Sequence, residues 1–390
     1  MGTSLPAKHE FTAARTAASV DSGMQLRCFS VTHTATSSSL NRARDAAVTA
    51  ANRLGAGMMP VVPEAAKRLM ARSVTIEGNT LDPTLRLFLV TRRLAGRTGL
   101  SDGGTPAISR QLFREDLLAL DRDPVVVGAV TNLTIPGPAG PIPARHYRPH
   151  DGRCGSLLVF FHGGGWVIGE LDSYDRLCRA ICRGAGVDVL SVDYRLAPEH
   201  PAPAAVEDAY AAYRWALEHG AEFGTQPGPV AVGGDSAGGN LSAVVSQRGR
   251  DDGVPPLLQF LLYPATDLRG GTRSRALFAD GFVLTRKDMD VFQGHYLTGS
   301  GLDATDPRVS PVLGKLSGLP RALVVTAGFD PLRDEGEQYA EAMRAAGVVV
   351  DLRRMPSLTH GFASLAALGG GSALALAEVT SALRAHLCYR

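Results

Sequence analysis

Long apolar runs are missing from this chain: no stretch approaches the roughly 20 residues needed to cross a bilayer, which argues against a helical membrane span. The first residues, Met1-Gly2-Thr3-Ser4-Leu5-Pro6-Ala7-Lys8, contain no apolar core of the signal-peptide kind. The expectation is a cytoplasmic protein, with peripheral membrane or envelope association left open. Cysteine is scarce and odd in number, at five: Cys28, Cys154, Cys178, Cys182 and Cys388. No CxxC occurs, and Cys178 and Cys182 share a helix face in the manner of a packed pair more than of a metal site. This usage predicts a reducing compartment and no disulfide framework. Neither an HExxH motif nor a P-loop is present, and nothing in the sequence calls for a metal or an organic cofactor. Charge of one sign is also lacking. A net charge of +2 over 390 residues gives no case for nucleic-acid binding. Residues 1–125 carry 16 Lys/Arg against 11 Asp/Glu, a mild excess of the kind that solvated helices show.

Glycine is abundant, and its placement carries chemistry. Gly234-Asp235-Ser236-Ala237-Gly238 directly follows the apolar run Pro229-Val230-Ala231-Val232-Gly233 and precedes the helix-compatible Gly239-Asn240-Leu241-Ser242-Ala243-Val244-Val245. A strand that ends in G-x-S-x-G and opens into a helix describes a nucleophile elbow, with the serine hydroxyl held above the sheet edge. The flanking glycines answer a steric need, because larger side chains would collide where strand and helix nearly touch.

A second apolar run, Leu157-Leu158-Val159-Phe160-Phe161, has the character of a strand buried in a parallel sheet. It stops at His162-Gly163-Gly164-Gly165-Trp166, an HGGG-type loop. Attack on an ester carbonyl places negative charge on oxygen, and backbone N–H groups must point at it. The loop glycines Gly163, Gly164 and Gly165 let the chain turn amides inward, and Ala237, after the serine, supplies a further N–H. His162 and Asp235 are counted with these motifs.

In such an architecture an acid and then a histidine follow the serine. The run Arg321 to Ala327 reads as a buried strand ending at Gly328-Phe329-Asp330, and an acid at a strand's C-terminal end lies where open α/β sheets build sites. Asp330 is therefore the natural orienting carboxylate. Asp334 and Glu335 compete, although first-turn acids commonly start a helix, here Glu337 to Met343. The last strand, Val348 to Arg353, leads to His360-Gly361-Phe362, which puts His360 where the base is required.

With these residues in hand, the chain resembles the hormone-sensitive-lipase-like esterases, in the bacterial branch with the GDSAG motif, and is most similar to actinobacterial carboxylesterases. The resemblance rests on His162-Gly163-Gly164-Gly165, Asp193-Tyr194-Arg195-Leu196-Ala197-Pro198-Glu199-His200-Pro201, Gly234 to Asn240, Tyr263-Pro264, Asp330 to Glu335 and His360-Gly361-Phe362. It runs from about Val130 to the C-terminus with six motifs in order. It implies an α/β-hydrolase fold with an N-terminal cap over the site. It also implies Ser236 as nucleophile, Asp330 and His360 as partners, and Gly164, Gly165 and Ala237 as oxyanion donors.

Organisation along the chain agrees. Residues 1–40 read as a mobile extension, and 41–125 as a helical lid with patterns at Asn41 to Leu54, Pro63 to Ala71 and Pro83 to Ala95. No strand signal appears in the lid. From 126 to 390 strands and helices alternate, which predicts a mostly parallel, doubly wound sheet opened by a hairpin, Val130 to Ile135 with Ile142 to Tyr147. An insertion at about 270–298, carrying Phe278, Phe282, Val283 and Leu284, is placed to complete the pocket. The expected activity is hydrolysis of small-molecule, short-to-medium-chain acyl esters through an acyl-enzyme. A lipase, a deacetylase or amidase, and an acyltransferase share that intermediate and stay open, as does oligomeric state. A non-catalytic binding member is the remote alternative, and the presence of His360 argues against it.

Overall fold

Leu157–Phe161 and Val230–Asp235 are buried at every residue, and so are Asp188–Val192 and Gln259–Leu262. Strands with no wet face must lie in the middle of a sheet covered on both sides. The computed structural model describes residues 62–389 except Ala71, Gly103, 122–123, 151–153 and 224–229. The expected extension 1–40 and the helix at Asn41 to Leu54 lie outside the described residues.

The described elements begin with helix α1 (Glu64–Met70), the two-residue strands β1 (Thr75–Ile76) and β2 (Asn79–Thr80), and helices α2 (Pro83–Leu94) and α3 (Pro106–Leu118). The β1–β2 pair corrects the expectation that the lid contains no strand: Glu77-Gly78, both at positive φ, turn the chain back on itself. Helix α3 was not anticipated. Its signal was present, with Thr105 at the N-cap accepting from the Ile108 N–H and Pro106 in the first turn.

An eight-stranded sheet follows, from β3 (Ala129–Gly137), β4 (Gly140–Arg148), β5 (Leu157–Phe161), β6 (Asp188–Val192), β7 (Val230–Asp235), β8 (Gln259–Leu262), β9 (Ala322–Phe329) and β10 (Val350–Thr359). Its spatial order is β10-β9-β8-β7-β5-β6-β4-β3, parallel from β10 to β6 and antiparallel at β4 and β3. The hairpin register pairs Ile135 with Ile142 and Val130 with Tyr147, as the sequence pattern predicts. Helices α4 (Leu171–Ala185), α5 (Ala204–His219), α6 (Ala237–Asp251), α9 (Arg333–Ala345) and α10 (Gly370–Cys388) complete the fold with the short α7 (Arg273–Leu277) and α8 (Arg286–Leu297) of the insertion. Strand β7 is central, and β5 is its neighbour with Phe161 opposite Gly234. The two glycine motifs therefore end side by side.

The cysteine expectation needs correction. Cys154 and Cys388 form a disulfide across 234 residues of sequence, their Cα atoms 5.2 Å apart, because the entry to β5 and the end of α10 meet in space. Cys178 and Cys182 are free and buried on α4, and burial pushes the Cys182 thiol up to about 12.

One buried carboxylate joins the segment at Leu100 and Ser101 to the start of α8. Asp288 Oδ1 accepts from the Leu100 and Ser101 amides at 3.0 and 2.7 Å and from Ser101 Oγ at 2.7 Å. Its Oδ2 accepts from Thr285 N at 2.9 Å and Thr285 Oγ1 at 2.7 Å, closing a capping box at the start of α8. Asp288→Ala strands these donors, so it should lower unfolding free energy by about 3 kcal/mol or more, read from the urea midpoint. A loss below about 1 kcal/mol would show that water replaces the carboxylate.

Candidate active site

The turn after β7 explains its own sequence. Ser236 has φ 54°, a left-handed backbone that keeps strand and helix tightly apposed. A Cβ on Gly238 would sit 1.8 Å from the Phe161 carbonyl oxygen, and one on Gly234 would meet the same atom at 2.4 Å. Ser236 N donates to Leu262 O, and Ser236 O accepts from the Asn240 and Ala265 amides, so the turn is held on every side. Asn240 Nδ2 extends this by donating to the Ala265 and Val309 carbonyls, both at 2.8 Å.

Three expected residues from three strand ends converge. Ser236 Oγ lies 3.0 Å from His360 Nε2, and His360 Nδ1 lies 2.8 Å from Asp330 Oδ2. Asp330 is fully buried and its Oδ1 accepts from Leu332 N at 2.8 Å. A buried carboxylate so placed takes the Nδ1–H and leaves Nε2 to accept from the serine hydroxyl. The Tyr263 ring meets the imidazole edge-on at 4.8 Å. Asp334 and Glu335 do other work. Asp334 accepts from Ser274 N, and buried Glu335 accepts from the Thr266 and Asp267 amides and from Arg275. Both tie the insertion to the body.

The glycine loop turns through left-handed backbone at Gly164 (φ 106°), Gly165 (φ 60°) and Trp166 (φ 61°). Side chains at the two glycines would collide with Ile168 O at 2.1 Å and with the Phe292 ring at 2.3 Å. Gly163 is differently employed from Gly164 and Gly165: its N–H donates to Asp235 Oδ1 at 2.7 Å, so that amide is already engaged. Asp235 is more than a motif residue, since it also accepts from Tyr174 Oη at 3.2 Å and thereby pins the loop to the elbow.

A cavity of about 120 Å³ lies over Ser236 and His360. Its walls are mostly apolar, with Phe88, Phe113 and Leu117 from α2 and α3 and Leu284, Met289 and Phe292 from α8 and the residues just before it. Val283 and Leu284 line it as expected. Phe278 and Phe282 instead pack against Phe329 in the core. The lining Arg275 and Gln293 were not anticipated; nothing in their spacing marks them.

The central parallel sheet, the elbow and the loop beside it define a class, and sequence comparison agrees. A family model described as alpha/beta hydrolase fold matches residues 158–364. The chain belongs to this family, in its hormone-sensitive-lipase-like branch. It is 58% identical to the carboxylic ester hydrolase LipN of Mycobacterium tuberculosis over 343 residues, 86% of this chain and 91% of that protein. It is 45% identical to the carboxylesterase NlhH of the same organism over 63% of this chain and 79% of that one. The solved structure of an ester hydrolase from the metagenome of Lake Arreo, complexed with a bipyridine phosphonate derivative, superposes with TM-score 0.74 at 40% identity, covering 78% and 99% of the two chains. The protein is thus an enzyme, a carboxylic ester hydrolase. No helix among the described residues is long and apolar enough to cross a membrane.

Two buried groups in the loop region titrate in opposition. Burial holds His162 down at about 4, despite its contact with the Gly163 carbonyl, and pushes Asp235 up to about 6 against the pull of His360 and its donors. As pH falls from 6.5 to about 4, the unfolded chain protonates His162 and the fold does not, which removes about 3 kcal/mol of stability. Over the window from about 6 down to 3.8 the fold protonates Asp235 and the unfolded chain does not, which returns a similar amount. Asp235→Asn removes the compensation. The melting temperature of the variant should fall more steeply than wild type between pH 7 and 4.5. Parallel declines would mean Asp235 stays ionised in the fold.

Proposed function

We propose that the protein is a serine carboxylesterase that hydrolyses short-to-medium-chain acyl esters through an acyl-enzyme on Ser236. The observation that carries this reading is the continuous hydrogen-bonded chain from Ser236 Oγ through His360 to Asp330, on the floor of an apolar cavity. His360 Nε2 takes the serine proton as Oγ attacks the ester carbonyl, and Asp330 holds the imidazole tautomer and stabilises its positive charge. The carbonyl oxygen gains charge beside the Gly164, Gly165 and Ala237 amides, which have no hydrogen-bond partner among the described residues. Collapse of the tetrahedral species expels the alcohol, which leaves with the proton from His360. Water then attacks the acyl-enzyme by the same route and releases the acid, restoring the Ser236 hydroxyl.

The apolar walls of the cavity suit the acyl part of an ester. One observation favours a second reading, a lipase acting on long chains. Leu69, Met70 and Leu94 of the lid are 88, 63 and 83% exposed, the kind of surface that meets lipid.

Hydrolysis of p-nitrophenyl esters from acetyl to palmitoyl separates the two. The expected result is a maximum at short or medium length, with kcat of Ser236→Ala lowered on the order of 10⁶-fold. A maximum at palmitoyl would establish the lipase reading, and activity retained by Ser236→Ala would defeat both.

A further inference from the structure

We propose that Arg110, on lid helix α3, is a positioning residue that holds the glycine loop in the shape that aims the Gly164 and Gly165 amides. The inference rests on the oxyanion-hole reading above. Left-handed backbone at a tryptophan is unfavourable and persists only where its surroundings over-determine it. Three contacts hold Trp166 and the residue after it. The indole stacks on Tyr296 with ring centroids 4.3 Å apart, Trp166 O accepts from Ala197 N at 2.8 Å, and Val167 O accepts from Arg110 Nε at 2.7 Å. The second contact also leads back to the same guanidinium, because Arg110 Nη2 donates to Ala197 O at 2.9 Å. One side chain thus binds the Val167 carbonyl directly and also holds Ala197, the residue whose N–H binds the Trp166 carbonyl.

Arg110 is itself gripped. Glu199 binds it with both oxygens, Nη1 to Oε1 at 2.9 Å and Nη2 to Oε2 at 2.6 Å, the planar fork that arginine makes and lysine does not. One helical turn on, Arg114 pairs with Glu170 and with Asp172, just downstream of the loop. Helix α3 therefore docks on the glycine loop's own continuation, and lid seating and loop shape become one event. Arg110 does not line the cavity over Ser236, so its effect reaches the reaction only through the backbone it holds. Val167 N and Ile168 N both return to Gly164 O, which carries displacement at Val167 directly to Gly164.

The test is steady-state hydrolysis of p-nitrophenyl acetate by the full chain as wild type, Ser236→Ala, Arg110→Gln, Arg110→Lys and Glu199→Gln. A trifluoromethyl ketone, whose serine adduct bears an oxyanion, and an unreactive methyl amide serve as inhibitors. Arg110→Gln should lower kcat ~10- to 100-fold with KM within about threefold, the scale of misaimed rather than missing donors. Its trifluoromethyl ketone affinity should fall by a similar factor while the amide's is unchanged. Arg110→Lys, able to reach one carbonyl at a time, and Glu199→Gln, which frees the guanidinium, should both lie between. If Arg110→Gln fails to fold, these two variants carry the same comparison. A kcat within twofold of wild type, or a kcat loss with ketone and amide affinities shifting together, would overturn the inference. Activity that survives Ser236→Ala would instead defeat the oxyanion reading beneath it.

Discussion

The contact on which this active site depends is the close approach of β7 and α6 to the end of β5, where no Cβ can stand between Gly238 and the Phe161 carbonyl. That approach brings the serine turn and the glycine loop side by side. The proposed nucleophile Ser236 and the proposed donors Gly164 and Gly165 are thereby carried at the ends of adjacent strands. The central position of β7 contributes as much as the glycines, because its neighbours on both sides bury every residue and leave only its C-terminal end open. A site at the open end of a rigid, dry strand keeps its geometry without relying on the mobility of loops.

Buried acids govern the shell around it. Asp235, Asp288, Asp330 and Glu335 are all nearly inaccessible, and each pairs with at least one backbone amide and at least one side chain. A buried carboxylate without partners is costly, whereas one with two or three donors becomes a stiff joint between segments. Here the joined segments are distant in sequence. Asp235 joins the serine turn to the glycine loop, Asp288 joins the segment at Leu100 and Ser101 to α8, and Glu335 joins α9 to α7 and to the Thr266 and Asp267 amides. The pocket over Ser236 is therefore walled by elements held to one another by charge-assisted hydrogen bonds as well as by apolar packing.

Much of this was legible in the sequence, and the reasons are physical. Buried parallel strands announce themselves as unbroken apolar runs, and a steric demand for glycine at a tight crossing leaves a short, local signature. The hairpin, the parallel sheet and the convergence of Ser236, His360 and Asp330 follow from such signals. What could not be read were partners set by space alone. Cys154 and Cys388 stand 234 residues apart, and their pairing has no local mark. The role of Gly163 differs from that of its two neighbours only because Asp235 faces it. Phe278 and Phe282 turned inward to Phe329 instead of toward the pocket, since aromatic periodicity does not distinguish one apolar environment from another.

By itself, then, the sequence determined the backbone shapes: the strands, the elbow, the left-handed glycine loop and the order in which the acid and histidine follow the serine. These depend on residues within a few positions of each other, through sterics and dihedral preference. Only the tertiary structure decided which side chains complete them. Arg110 meets Val167 across 57 residues and Glu199 across 89, and Asp288 meets Ser101 across 187. A charged side chain declares its charge in the sequence, but its partner is chosen by where the packed helices and sheet bring it.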